Sequence, residues 1–140
     1  MKEFTPEQFT EGTYSTAREK AAVANAFVRF VESGFSREKF TRALYRALSN
    51  MWGDIAYYDA NGFYSYWFTS TWKVKEFLLH TQAPSYDDPV YSWSDVERVL
   101  GKWVNEQGLA EKWECVYRQE VEDTERAELA RLKGKYPEAE

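Results

Sequence analysis

The stretch Thr16–Gly34, TAREKAAVANAFVRFVESG, carries both ends of a helix and one apolar face. Thr16 and Glu19 have the spacing of a capping box, in which each side chain bonds the backbone N–H of the other residue. Between them and Gly34, apolar residues recur at steps of three and four, the period of a buried helix face: Val23, Phe27, Phe30 and Val31. Glycine adopts the left-handed conformation that commonly ends a helix. We therefore predict a helix over 17–33.

A second helix is predicted over 37–52, with Ser36 as its cap and Gly53 beyond its end. Its apolar residues keep the helical period without a miss: Phe40, Ala43, Leu44, Ala47, Leu48 and Met51. The connection to the first helix is short, so the two should pack as a helical hairpin.

Three further helices are predicted, and a loop rich in proline and aspartate separates the first of them from the second. Ser70 is expected to cap a helix at about 71–81, and Ser94 with Glu97 forms a second capping box for a helix that Gly108 closes. The last helix should begin near Ala110 and lose its apolar pattern beyond Glu122. The fold class is thus mainly α, a compact bundle of about five helices, with Leu44 and Trp103 in the core.

Residues 54–68 leave two interpretations open. Several tyrosines and the pair Asn61-Gly62 permit a small β-hairpin at residues 55–68. The same residues permit a helical extension from Asp54 to Asp59, a break at Gly62 and an irregular aromatic segment. Because the rest of the chain is helical, we favour the second interpretation.

Length and composition indicate one domain over 1–140, with an N-terminal extension at 1–15 and a charged helix end at 123–140 that we expect to project from the body or fray. The chain is 44% apolar and 18% aromatic, which is enough to build a core. Cys115 is the sole cysteine, and no segment approaches the roughly 18 apolar residues of a membrane span. We expect a cytoplasmic protein without a membrane partner.

The net charge of −5 is unevenly distributed, because residues 16–53 carry seven Lys or Arg against three Glu. Within this basic region, Lys39, Arg42 and Arg46 recur at helical spacing on the predicted helix 37–52. Such a row suits a phosphate backbone or an acidic protein surface. An ordinary solvated helix face explains it equally simply.

Aromatic residues are concentrated between Trp52 and Trp72, where nine of the 21 positions are Phe, Tyr or Trp. We expect Trp52, Trp67, Phe68 and Trp72 to close the core. The tyrosines are harder to bury because each hydroxyl needs a partner, so some should be exposed anchors for a binding partner: Tyr57, Tyr58, Tyr64 and Tyr66.

Catalytic and metal-binding groups are few. His80 is the sole histidine, and Cys115 is expected to be a small residue beside the core. The paired carboxylates Asp87-Asp88, or Asp54 with Asp59, would suit a small carboxylate-dependent hydrolase, but adjacent aspartates before a proline are more typical of a solvated turn. No glycine-rich phosphate loop is present. We expect no enzyme activity, cofactor or metal.

One part of the sequence resembles a segment of small uncharacterised proteins carried by bacterial plasmids and phages. The resemblance rests on Met51-Trp52-Gly53-Asp54-Ile55-Ala56, followed by Gly62-Phe63-Tyr64 and Trp67-Phe68. That resemblance implies an inhibitor or modulator of host defence, such as an anti-CRISPR or antirestriction protein. We therefore expect a non-enzymatic protein-interaction factor directed at a nucleic-acid-processing complex. The alternative is a helical domain that binds nucleic acid directly.

Overall fold

The computed structural model describes residues 3–52, 59–83 and 85–137, and 70% helix makes the protein mainly α. Over these ranges the chain forms six helices and no strand: α1 Ala17–Glu32, α2 Arg42–Met51, α3 Ala60–Trp67, α4 Thr71–His80, α5 Ser94–Glu106 and α6 Leu109–Lys135. Short 3-10 turns at Pro6–Gln8 and Arg37–Lys39 precede α1 and α2. The mainly helical fold class is confirmed, with six helices where five were predicted.

Both predicted ends of α1 are confirmed. The Thr16 hydroxyl accepts a hydrogen bond from the Glu19 N–H at 3.1 Å, and the Glu19 carboxylate accepts one from the Thr16 N–H at 3.4 Å. At the other end Gly34 has φ of 77°, and the left-handed conformation continues into Phe35 at 63°. The Phe35 N–H donates to the Phe30 carbonyl at 3.0 Å, which satisfies an orphan carbonyl of the last turn.

The second helix begins later than predicted, and Ser36 is not its cap. Phe40 has φ of −88° and ψ of 83°, so its backbone interrupts the helix after the turn Arg37–Lys39. The Thr41 hydroxyl then accepts from the Leu44 N–H at 3.2 Å and caps α2. The interruption lets Phe40 turn inward, where it is buried among aromatic rings.

The hairpin permitted for 55–68 is wrong where the structure describes it, and so is the break at Gly62. The Asp59 carboxylate accepts from the Gly62 N–H at 2.7 Å, which makes Asp59 the cap of α3 and places Asn61-Gly62 in its first turn. Phe63 is then carried into the core. The predicted helical extension 54–59 falls mostly on residues outside the described ranges; Asp59 itself is extended.

The predicted capping box at the start of α5 is not formed, because its members are engaged in tertiary contacts. The Ser94 hydroxyl donates to the Asp87 carbonyl at 2.5 Å, and Glu97 accepts from the Ser85 N–H at 3.4 Å. The second residue of the motif, Asp95, is buried beside Lys20 of α1.

Lys20 and Asp95 form what we call the ion-pair node. The Lys20 ammonium lies 3.2 Å from Asp95 and donates to the carbonyls of Thr10 at 3.0 Å and Pro89 at 2.8 Å. Asp95 in turn accepts from the Thr10 N–H at 2.9 Å. A buried charge is tolerated only when it is paired and hydrogen-bonded, as here. The node therefore joins the N-terminal segment, α1, the 85–93 loop and α5.

The core is largely aromatic. Phe30 contacts Phe35, Phe40 and Phe68 with ring centroids 4.9 to 5.3 Å apart, and Phe68 continues the cluster to Phe77 at 4.9 Å. Leu44, Trp103, Trp52 and Phe68 are buried as predicted, and Trp67 is half-buried; Trp72, in contrast, is 40% exposed. Trp72 faces α6, where its ring lies 4.8 Å from that of Tyr117.

Helix α6 starts at Gly108, whose φ of 60° lets the chain reverse after α5. Its first part packs against α4, and the hydroxyl of Thr71 donates to Glu120 at 2.7 Å. We call residues 121–135 the C-terminal arm: all of them are exposed, although the helix continues. Within the described ranges, no helix is both long and apolar enough to cross a membrane.

Candidate functional site

A groove of about 460 Å³ opens between the start of α2 and the start of α3. We call it the basic groove; its polar lining consists of Arg37, Arg42, Tyr45, Arg46, Asp59 and Asn61. It exists because the chain turns twice here, once at Phe40 before Thr41 caps α2, and once at Asp59 before α3. Three guanidinium groups thus face one concavity, in which Asp59 is the single carboxylate among the described lining residues.

Arg37 is held in place by its surroundings. Its guanidinium donates to the Phe40 carbonyl at 3.1 Å and to the Asn61 amide oxygen at 2.6 Å. The same group lies 5.4 Å from the ring centroid of Tyr64, within range of a cation–π contact. A positive charge with a fixed position costs less side-chain entropy when it binds an anion.

Arg42 and Arg46 supply the other two guanidinium groups of the groove. They lie four residues apart on α2 and are therefore neighbours on one helix face. Both are exposed, and neither forms an ion pair with a carboxylate in the described ranges. Arg46 also borders an adjacent concavity of about 380 Å³, which Val23 and Trp93 line from the other side. Two cations without a carboxylate partner among the described residues thus line the groove together with the half-buried ring of Tyr45.

Asp59 offsets one of the three positive charges, but it forms no ion pair with the arginines among the described residues. Its carboxylate is engaged by the Gly62 N–H at the first turn of α3. A guanidinium stays protonated at any physiological pH, so the groove keeps its positive charge.

Lys39 is separated from the other two members of the predicted row. It is exposed, but it lies in the 3-10 turn before the interruption at Phe40 and does not line the groove. The prediction that Lys39, Arg42 and Arg46 share one helix is therefore wrong, since the helix 37–52 is divided in two. Arg42 and Arg46 remain together.

Of the four candidate tyrosines, the two that the structure describes, Tyr64 and Tyr66, do not form one surface. Tyr64 is half-buried, and its hydroxyl donates to the Phe35 carbonyl at 2.6 Å, so it braces the left-handed end of α1. Tyr66 is 39% exposed, and the Lys73 ammonium lies over its ring at 4.1 Å. Neither lines the basic groove. Tyr57 and Tyr58 lie outside the described residues.

The remaining chemical groups are dispersed. Cys115 is exposed on α6, not beside the core as predicted, and His80 ends α4 as predicted. Asp88 accepts from the Val90 N–H at 2.9 Å within an exposed turn, the solvated arrangement expected of Asp87-Asp88. Asp54 lies outside the described residues. A cluster of three or more potential metal ligands does not occur in the parts of the chain that the structure describes.

Sequence reasoning missed three parts of the groove: Tyr45, Asn61 and Asp59. A signal for Tyr45 was present, since it lies between Arg42 and Arg46 at helical spacing once Thr41 is taken as the cap. Asn61 and Asp59 could not be found this way, because the contact between α2 and α3 is tertiary.

Comparison with known protein families, with curated proteins and with solved structures finds no match to this chain. The chemistry of the groove itself is therefore the basis for a functional hypothesis.

Proposed function

We propose that this protein is a non-enzymatic interaction protein that binds an acidic surface of a partner protein in the basic groove. In its most specific form, suggested by the resemblance to plasmid and phage proteins, it inhibits or modulates a nucleic-acid-targeting defence complex of the host.

The observation that carries the proposal is the pair Arg42 and Arg46, exposed and without a carboxylate partner among the described residues, together with Tyr45 in the lining of the same groove. Arginine and tyrosine are the residue types enriched at the energetic centres of protein interfaces. Arg37 adds a third charge that is already ordered by Asn61 and Phe40. This combination favours binding of a carboxylate-rich segment through bidentate hydrogen bonds.

The groups in the groove are suited to binding more than to proton transfer. A guanidinium does not lose its proton at physiological pH, so the three arginines cannot serve as general acids or bases. They can position and neutralise anions, and binding to an acidic partner surface requires both.

Direct binding of nucleic acid is the second candidate, and Tyr45 is the observation that favours it. An aromatic ring in the same groove as two arginines offers a base-stacking surface near two phosphate contacts. The overall charge of −5 opposes this candidate, because the rest of the chain repels a polyanion.

The experiment compares two fluorescent probes of equal charge, a poly-glutamate peptide and a single-stranded DNA, by anisotropy at low salt. The double variant Arg42→Glu with Arg46→Glu should lower peptide affinity by about 10-fold or more, and raising the salt should weaken binding by the wild type. Tighter binding of DNA, lost in the same variant, would favour the second candidate.

The matched control is Arg18→Glu with Lys112→Glu. Both residues are exposed in the first turn of a helix, α1 and α6, and neither lines the groove. The control makes the same change in net charge, and glutamate is favoured in a first turn. Equal losses in the two variants, or no binding of either probe by the wild type, would contradict a role for the groove.

A further inference from the structure

The C-terminal arm is a helix of 15 residues, 121–135, that makes no hydrogen bond or ion pair to another element among the described residues. At 1.5 Å per residue it is about 22 Å long. The last bond from its base to the body is that of Glu120 with Thr71. Beyond it, the side-chain hydrogen bonds that the described residues make stay within α6, as those of Glu122 with Arg126 and Glu128 with Arg131 do.

One side of the arm is apolar. Val121, Leu129, Leu132 and Tyr136 are 37%, 53%, 37% and 47% exposed. At 3.6 residues per turn they fall within about 80° of one another, so they form a single stripe along the helix. Glu125 interrupts the stripe near its middle.

The arm is also divided by charge. Residues 121–125 contain three carboxylates and no base, whereas 126–135 contain four bases and one carboxylate. Two such helices attract each other when they run in opposite directions, because the acidic half of each then faces the basic half of the other. Parallel helices would place like charges side by side.

We propose that the C-terminal arm binds the arm of a second copy of this chain, antiparallel, along the apolar stripe. When the two arms overlap over their whole length, Glu122 of one copy lies at about the level of Lys133 of the other. Both residues flank the stripe on the same side, so the pair forms twice across the two-fold axis. Glu122 already bonds Arg126 at 2.5 Å, and its carboxylate retains lone pairs for Lys133.

The dimer is weak for two physical reasons. Four apolar side chains per copy make a contact well below the standard size of a stable interface. The two Glu125 carboxylates approach each other near the axis and repel. We expect a dissociation constant on the order of 10 to 100 μM at low salt.

Sedimentation equilibrium of the full chain tests the proposal. The wild type should shift with concentration from 16.5 kDa towards twice that mass. Glu122→Lys and Lys133→Glu should each weaken the dimer by about 10-fold or more, because each places like charges across the axis. The combination of both substitutions should restore the wild-type constant to within about threefold. Net charge is the same in the wild type and the double variant.

The antiparallel direction of the two arms is tested with single cysteines in a Cys115→Ser background and a short thiol cross-linker. Glu125→Cys lies near the two-fold axis and should cross-link to itself. Tyr136→Cys lies on the same stripe but about 28 Å from its equivalent in an antiparallel pair, so it should not. A monomer at all concentrations, a double variant that stays monomeric, or cross-linking through Tyr136 would each overturn the proposal. Circular dichroism of every variant shows whether the arm stays helical.

Discussion

The body of this protein and its C-terminal arm are built from the same secondary structure but are stabilised in different ways. Helix α5 has lost its capping box and contains Gly101, yet it is held by a buried face that includes Val96, Leu100 and Val104. The arm has no buried residue and is supported by pairs such as Glu122 with Arg126 and Glu128 with Arg131. Arg131 also lowers the pKa of the Glu128 carboxyl by hydrogen bonding to it.

This difference shows that helix formation and fold stability are separate properties in this chain. Packing dominates the stability of protein helices, and pairs on an exposed face add a few tenths of a kcal/mol each. Matched substitutions in the body and in the arm should therefore have very different effects. The predictions below proceed from the largest effect to the smallest, with unfolding measured at low micromolar protein so that the chain is monomeric.

Asp95→Ala should be the most damaging of the changes. It leaves the Lys20 ammonium buried without its counter-charge and removes the acceptor of the Thr10 N–H. We expect the free energy of unfolding to fall by about 3 to 5 kcal/mol, measured by urea denaturation. The matched change in the arm is Asp123→Ala, which loses one exposed bond to Gln119 and should cost little. Similar losses for the two variants would contradict the role given to the node.

Leu44→Ala and Leu129→Ala make the same deletion at opposite extremes of burial, 1% and 53% exposed. In the core the deletion removes buried surface and leaves a cavity, so we expect a loss of about 2 to 5 kcal/mol, and a loss in the same range for Trp103→Ala. In the arm the free energy of unfolding should change by less than about 0.5 kcal/mol. A near-neutral Leu44→Ala would mean that the α2 face is assigned wrongly.

Tyr64→Phe and Tyr66→Phe remove two tyrosine hydroxyl groups of the same helix, α3, that have different partners. The Tyr64 hydroxyl donates to the Phe35 carbonyl, whose residue has positive φ, so its removal should lower the free energy of unfolding by about 1 kcal/mol. The Tyr66 hydroxyl accepts from Lys73 at the surface, and its removal should be nearly neutral. Thermal unfolding distinguishes the two variants. Equal effects would show that Tyr64 does not brace the turn after α1.

The distinction between local backbone interactions and tertiary packing also explains which parts of the fold were predictable from the sequence. The ends of α1 and the start of α4 were predicted because Thr16, Gly34 and Ser70 act on backbone groups within a few residues of themselves. The cap at Ser94 was predicted wrongly because its hydroxyl is used by Asp87, seven residues away. Local rules fail where a tertiary partner competes for the same atom.

The buried lysine illustrates a signal that was present but not used. Lys20 occupies the helical position before Ala24, Phe27 and Val31 on the buried face of α1. A lysine on an apolar face predicts a buried partner, although periodicity does not say that the partner is Asp95. In the candidate site the charges of Arg42 and Arg46 were likewise predictable. Their separation from Lys39 depends on the inward turn of Phe40, which only packing explains.

Arg126→Ala should have the smallest effect. It removes the bond to Glu122 between two side chains that are 76% and 52% exposed. An exposed pair at this spacing gains little Coulomb energy in water and loses side-chain entropy, so the free energy of unfolding should change by no more than about 0.5 kcal/mol. Urea denaturation at two salt concentrations measures this, and the small effect should shrink further at high salt because exposed charges are screened.

Arg118→Ala, which breaks the pair with Glu114 near the base of the arm, is the matched control and should behave alike. A loss above about 1 kcal/mol from Arg126→Ala alone would show that the arm is coupled to the body, and the comparison between packed and unpacked helices would then fail at this point of the chain.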